Sequence, residues 1–464
     1  MGWVSLASGE HGIDGQGDGT MVLAAAAITF VSSLAGVPLA AFALRQGRKL
    51  AIIANSVCFA VCWALKLVGC CWWIFAGRVV AGIGSAGAYA IPPLAASEAC
   101  EKRVQGAASA ALVLAHNVGI LIMYIVADLG LPHRDVLWWC LGLSVAHCCL
   151  FMLMPESPAY LAAHNRTADA INTLAWLRGL PKGHPSIQAE LSTLPVPEAA
   201  EESEWQIFKE MVNKPAQRRA LIISLVTIVG QESCGVYTLM QFAERAFIIT
   251  RDMAGSNMAT TATVNGTIYV VWTTDTTIGE EILPARHALI LGVVQLVASL
   301  GALFLVELVG RRLLLLCGGT MTAVCLVVAS VATALGAPRA AALALAGAVA
   351  ADSGALEPAP YALLHDLFPY KYRSMVLMLA SAGTCVTGAL EVLVLGALGS
   401  YCLPAALLLA AALSAAITLY SWWAVPETLG RSLDEIYNEL VPEEAVTRPV
   451  SPEAETKTET TTVT

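Results

Sequence analysis

Apolar runs of about 20 residues recur along this chain, long enough to cross a hydrocarbon core of roughly 30 Å as helix. They lie near 21–44, 50–69, 72–97, 104–127 and 136–154, then, after a polar stretch, near 219–247, 287–306, 313–335, 340–365, 374–398 and 403–425. The pattern predicts an all-α polytopic membrane protein of eleven spans in two helical bundles, five spans over 21–155 and six over 219–425. Residues 156–218 join the bundles, with short helices expected from Thr167 to Arg178 and from Glu204 to Val212. Residues 1–20 form a Gly-rich acidic segment, and residues 426–464 a tail whose last part is rich in Glu, Thr and Pro and is expected to be disordered. In the loop 248–286, the stretch Thr263 to Ile268 places Asn265-Gly266 between β-formers, which predicts a hairpin.

The polar interruptions repeat. Gly47, Arg48, Lys49 divides the first two runs, and Glu307, Leu308, Val309, Gly310, Arg311, Arg312 divides the seventh and eighth. Glu98 with Gly106 answers Asp366 with Ser374, and Pro155, Glu156, Ser157 answers Pro426, Glu427, Thr428. Offsets that stay between 263 and 271 residues imply two tandem halves.

Composition agrees with a membrane chain: of 464 residues, 57% are hydrophobic and 13% charged, and the mean hydropathy is +0.68. The net charge of −9 arises in the central stretch and the tail. Arg45, Arg48, Lys49, Lys102, Arg103, Arg311, Arg312, Lys371 and Arg373 fall on one side, and the opposite loops hold only Arg134, Arg251, Arg286 and Arg339. The positive-inside rule makes the basic side cytoplasmic, with the N-terminus outside and the C-terminus inside; the plasma membrane is the expected location. Asn265, in Asn265-Gly266-Thr267, is then an outer acceptor for N-glycosylation, whereas Asn165 is cytoplasmic and unmodified. The first 20 residues lack the basic start and apolar core of a cleavable leader. Thirteen cysteines, most of them in apolar runs, show no metal or redox spacing. Gly82, Gly84 and Gly87 match a nucleotide-binding glycine pattern inside an apolar run, where close helix packing explains them better. No nucleophile, metal or cofactor constellation supports an enzyme, and nucleic acid is not an expected partner.

The Gly-Arg hairpins, Pro155-Glu156-Ser157-Pro158 and Pro426 to Arg431 resemble the sugar porters of the major facilitator superfamily, closest to insect facilitated trehalose transporter-like members. Gly77-Arg78 with Gly82, Asn117 to Ile120, and Asp366 to Pro369 with Arg373 extend the likeness over roughly residues 21–437. The resemblance implies a twelve-helix fold whose second helix aligns with the first span here. A shortened gene product is the preferred reading of that difference, over a divergent protein of eleven spans. It also implies a sugar pocket of amides and aromatic rings. The family's paired glutamines and asparagine fall at Gly230, Gln231 and Val236, its Pro-x-Pro-Trp at Pro358 to Tyr361, and a further tryptophan at Cys385.

A sugar needs convergent hydroxyl-binding groups and an aromatic platform in a cavity open to each side in turn. Helical spacing puts Gln231, Gly235 and Thr238 on one face, Gln295 and Ser299 on another, and Ser353, Glu357 and Tyr361 on a third, where Pro358 and Pro360 should break the helix. Charges within spans need a partner or a wet cavity; Arg78, Asp352, Glu357 and Glu391 are such charges, Glu391 being the candidate for proton coupling, and Lys66 is expected to snorkel. Arg48, Arg78, Glu98, Glu156, Glu307, Arg311, Arg312, Asp366, Arg373 and Glu427 are candidates for a gating network pairing the two halves at the inner face. Leu44, Gln105 and Ala159 replace charges of that network, so its N-terminal half is expected to be the weaker. The function expected is facilitative transport of a hexose or trehalose by alternating access. Two alternatives stay open, a proton-coupled sugar symporter and a non-transporting nutrient sensor or degenerate porter. Sequence does not set the oligomeric state.

Overall fold

The computed structural model describes residues 19–101, 104–192, 194, 204–241, 260–264, 267–271 and 284–440. The first half comprises α1 (Gly19–Gln46), α2 (Arg48–Leu67), α3 (Cys71–Ala99), α4 (Gln105–Asp128) and α5 (His133–Leu153). The linker carries α6 (Pro158–Ala163), α7 (Thr167–Arg178), α8 (Pro185–Ser192) and α9 (Glu204–Asn213). The second half runs through α10 (Pro215–Glu232), α11 (Val236–Gln241), α12 (Pro284–Leu308), α13 (Arg311–Ala334), α14 (Pro338–Ala351), a π-turn (Asp352–Leu356), α15 (Pro358–Leu367), α16 (Tyr370–Tyr401) and α17 (Leu403–Ala424). Helix α18 (Leu433–Leu440) follows. Eleven spans among the described residues are long and apolar enough to cross a membrane, five before the linker and six after. Strands β1 (Thr260–Val264) and β2 (Thr267–Val271) pair antiparallel with Val264 opposite Thr267. Asn265 itself lies outside the described residues, as do residues 1–18 and 441–464.

Glycine sets the reversals. Gly47 at φ 130° turns α1 into α2, and Gly310 at φ 94° turns α12 into α13, a conformation that L side chains rarely adopt. In α3, a Cβ on Gly82 would run into Thr29 and Ser32 of α1, so the glycine pattern there serves close packing.

Among the described spans, two are interrupted within their length. Helix α10 ends at Glu232, and Gly235 at φ 79° restarts the chain as α11, with room for no side chain because a Cβ would lie 2.6 Å from that of Ala410. The expected break at Pro358 takes the form of a wider turn: the Glu357 N–H donates to the Asp352 carbonyl at 2.8 Å, and α15 starts directly on Pro358, which has no N–H to lose.

One core joins the halves at the hairpin end, where Leu44, Ile91, Leu94 and Ala110 meet Val306, Leu363, Leu364 and Phe368. Toward the other end two smaller seams join them. In one, Ile120 and Tyr124 meet Ala288, Leu291 and Val349; in the other, Ala27 and Phe30 meet Ala389 and Val392. Outward faces stay apolar, as at Trp139, Leu143 and Leu153 of α5, which suits contact with lipid.

Candidate functional site

Between the halves lie two adjoining spaces that share Tyr89, His116, Tyr237, Glu357 and Tyr361 in their walls. The larger, about 540 Å³, is faced by α1 to α4, with Thr29, Cys62, Lys66 and Arg78 among its lining. The smaller, about 60 Å³, is lined also by Gln231, Glu232, Gln295 and Asp352. The helix ends around Gly235 and the π-turn place these side chains there. The chain break after Glu232 brings Gln231 and Glu232 to the wall, and the widened turn brings Asp352 and Glu357.

Of the residues that sequence spacing nominated, Gln231, Gln295, Glu357 and Tyr361 line the space. The Gln295 Nε2 donates to Asn117 Oδ1 at 2.8 Å, an amide pair across the halves. Gly235, Thr238 and Ser299 are not in its wall. The i, i+4, i+7 spacing assumed a helix unbroken from Gln231 to Thr238, and Gly235 breaks it. Thr238 is placed elsewhere, its N–H donating to Glu391 Oε1 at 3.0 Å, and the Ser299 hydroxyl donates to the Leu296 carbonyl at 2.9 Å. Glu391 thus meets a helix start in the second half and does not line either space. Glu232, Tyr89, His116 and Tyr237 were not nominated; the acid beside Gln231 was the available signal for Glu232.

The charges at the hairpin end form two matching clusters. In the first half, Arg48 Nη2 meets Glu98 Oε1 at 2.8 Å, and Glu156 Oε1 accepts the backbone N–H of Arg48 at 2.9 Å and of Lys49 at 3.0 Å. The Ser157 hydroxyl donates to Glu98. In the second half, Arg311 Nε meets Asp366 Oδ2 at 3.1 Å, Glu427 Oε1 accepts the Arg311 N–H at 3.2 Å, and the Thr428 hydroxyl donates to Asp366 at 2.7 Å. The first cluster is therefore not the weaker. Gln105 Nε2 donates to the Ser97 carbonyl at 2.8 Å, so one of the uncharged replacements holds a side-chain contact of its own.

These ion pairs lie within each half, where pairing between halves was expected. Among the contacts that cross at this end, Arg48 Nη2 donates to the Tyr370 hydroxyl at 2.9 Å, the Ala107 N–H donates to Glu307 Oε1 at 3.1 Å, and the Ser109 hydroxyl lies 3.3 Å from His365 Nδ1. Glu307 also lies 3.6 Å from Arg311. Arg373 donates to the His365 and Phe368 carbonyls at 2.9 Å each, closing the end of α15, and Arg312 donates to the Trp422 carbonyl at 2.7 Å. Arg78 stands away from this network: it lines the larger space and donates to Thr29 Oγ1 at 3.3 Å. Lys66 is buried with its ammonium 4.2 Å from the Trp63 ring, so it turns inward and does not snorkel.

The linker helices are tied to both halves. Arg178 of α7 pairs with Glu190 of α8 and donates to the Ala99 carbonyl at 2.9 Å. Glu210 of α9 meets Lys371 of α16 at 2.7 Å. Hydrogen bonds from Lys214 and Lys371 hold the Glu210 carboxyl below the usual range, at about 2.

Among known proteins, the facilitated trehalose transporter Tret1 of Bombyx mori is 24% identical over 436 residues, 91% of this chain and 78% of that protein. A putative metabolite transport protein of Bacillus subtilis, YwtG, is 26% identical over 412 residues, 85% of this chain and 81% of its own. The solved proton:xylose symporter XylE, of the major facilitator superfamily, shares the fold at a TM-score of 0.73 and 16% identity, covering 95% of this chain and 94% of that one. A family model described as Sugar (and other) transporter matches residues 14–280 and 276–440, and with nearly the whole chain so matched, this multi-pass membrane protein belongs to that transporter family.

Proposed function

We propose that this chain carries a small hydroxylated solute, a hexose or trehalose, across the plasma membrane by alternating access. One observation carries the reading. A space lined by Gln231, Gln295, His116 and three tyrosines lies on the seam between two helical halves, where a rocking motion exposes it to each side in turn. Amides and hydroxyls there match a sugar's hydroxyl groups, and tyrosine rings suit its apolar faces. At the hairpin end the seam is closed by the Leu44 to Phe368 core and by the Arg48–Tyr370 and Glu307–Ala107 links, so those contacts act as the inner gate. That end is cytoplasmic by its basic residues, which puts the N-terminus outside and the tail inside.

Uptake of labelled glucose and trehalose into vesicles bearing the chain tests the reading. Saturable uptake of either supports it, and uptake of both no greater than that of empty vesicles overturns a neutral hexose or trehalose as the solute.

A further inference from the structure

The smaller space is more acidic than a neutral sugar requires. Three carboxylates, Glu232, Asp352 and Glu357, line it, with no lysine or arginine among its lining residues. Lys66 and Arg78 belong only to the larger space. Gathering like charges in a buried site is unfavourable unless bound protons or another cation neutralise them, and a cationic solute is one way to do so. Asp352 is 5% exposed and its Oδ1 has no hydrogen-bond partner.

A neutral side chain points the same way independently. Gln295 is 5% exposed, its Nε2 is committed to Asn117, and its Oε1 has no hydrogen-bond partner. In this wall Asp352 Oδ1 and Gln295 Oε1 are acceptors without a hydrogen-bond partner, whereas Glu357 faces the Asn117 amide and the Ser353 hydroxyl. A hydroxyl brings its own acceptor into such a site, whereas an ammonium group brings three donors, no acceptor and the missing charge. The rings of Tyr89, Tyr237 and Tyr361 in the same wall offer faces that attract cations. The size agrees: about 60 Å³ takes a head group, while the adjoining 540 Å³ takes the body of the solute.

We propose that the solute is a hydroxylated cation, an amino sugar or similar amine, whose ammonium group sits among Glu232, Asp352, Glu357 and the Gln295 carbonyl. This rests on the transport reading above and narrows its substrate class.

The test uses purified chain, with binding read as a rise in unfolding temperature and transport as uptake into proteoliposomes. The probes are glucosamine, glucose and N-acetylglucosamine, the last bearing the nitrogen without its charge. Glucosamine is expected to bind and move at least about tenfold better than the two neutral probes, and Asp352→Asn or Glu232→Gln to bring that ratio toward one. Glucose or N-acetylglucosamine moving as well as glucosamine overturns the cationic class and leaves transport standing. Glucosamine bound selectively but never moved upholds the site and overturns transport. Absence of both binding and uptake overturns both claims. Where a variant fails to fold, the comparison of three probes on the unaltered chain decides.

Discussion

The Glu427 carboxylate accepts the backbone N–H of Arg311 at 3.2 Å, clamping the hairpin turn that Gly310 makes. Glu156 does the same for Arg48 at 2.9 Å, one half earlier. Each carboxylate also accepts N–H groups of its own turn, Glu427 from Thr428 and Leu429 and Glu156 from Ser157. Glu427→Ala and Glu156→Ala are therefore expected to destabilise the chain by about 1–2 kcal/mol each, as lost helix caps do. Thermal unfolding in detergent checks this, and midpoints unchanged in both variants would contradict it.

The turns themselves depend on glycine. At Gly310, φ 94° and an added Cβ 2.7 Å from Glu427 Oε2 make Gly310→Ala unfavourable by about 1–3 kcal/mol. Gly142, inside α5 with nothing within 4 Å of an added Cβ, is the control, and Gly142→Ala should be neutral or slightly stabilising. The two variants compared by thermal unfolding should differ in sign or clearly in size; equal midpoints would argue against a strained turn.

Arg48 joins a fully buried Glu98 carboxylate to the other half through Tyr370. Arg48→Ala leaves that carboxylate without its guanidinium and should cost about 3–5 kcal/mol. Tyr370→Phe removes only the link between halves. It is expected to fold normally and to raise the labelling of cysteines introduced at the cytoplasmic end, because the inner gate opens more often. Labelling equal to that of the unaltered chain would show that the link does not hold the gate.

The clasp between Glu210 and Lys371 should depend on acid. The Glu210 pKa is lowered from 4.5 to about 2, chiefly by the Lys214 hydrogen bond and then by that from Lys371. Its contribution is thus present above the unfolded value and lost as pH falls from 4.5 through about 2. The group is partly exposed, so the contribution is at most about 1 kcal/mol. Protection factors in α9, which take out the pH dependence of intrinsic amide exchange, should be equal at pH 7 and pH 5 and fall toward pH 3, and Glu210→Gln should remove that fall.

Sequence made the frame legible because its signals are local. Runs of apolar residues set the spans, and the repeat of Gly47 and Glu156 at Gly310 and Glu427 set the two halves. The site was legible only in part. Gln295 and Tyr361 sit on regular helix and were found by spacing, whereas Gly235 and Thr238 were misplaced because φ 79° at Gly235 ends the period on which spacing depends. The π-turn shifts the phase again at Asp352, so the acidic wall shared by Asp352 and Glu232 emerges only in three dimensions. Pairing within each half at Arg48 and Arg311 was also out of reach, since all these charges share one face and the sequence does not say which neighbour each one meets.

In the transport reading proposed above, the solute passes through the space lined by Gln295 and Tyr361. The most direct test of that reading is initial uptake of labelled solute by Gln295→Ala and Tyr361→Ala beside the unaltered chain, at matched surface expression. A loss of about tenfold is expected in each variant, the effect of one well-placed contact removed from a binding site. Uptake unchanged in both would contradict it.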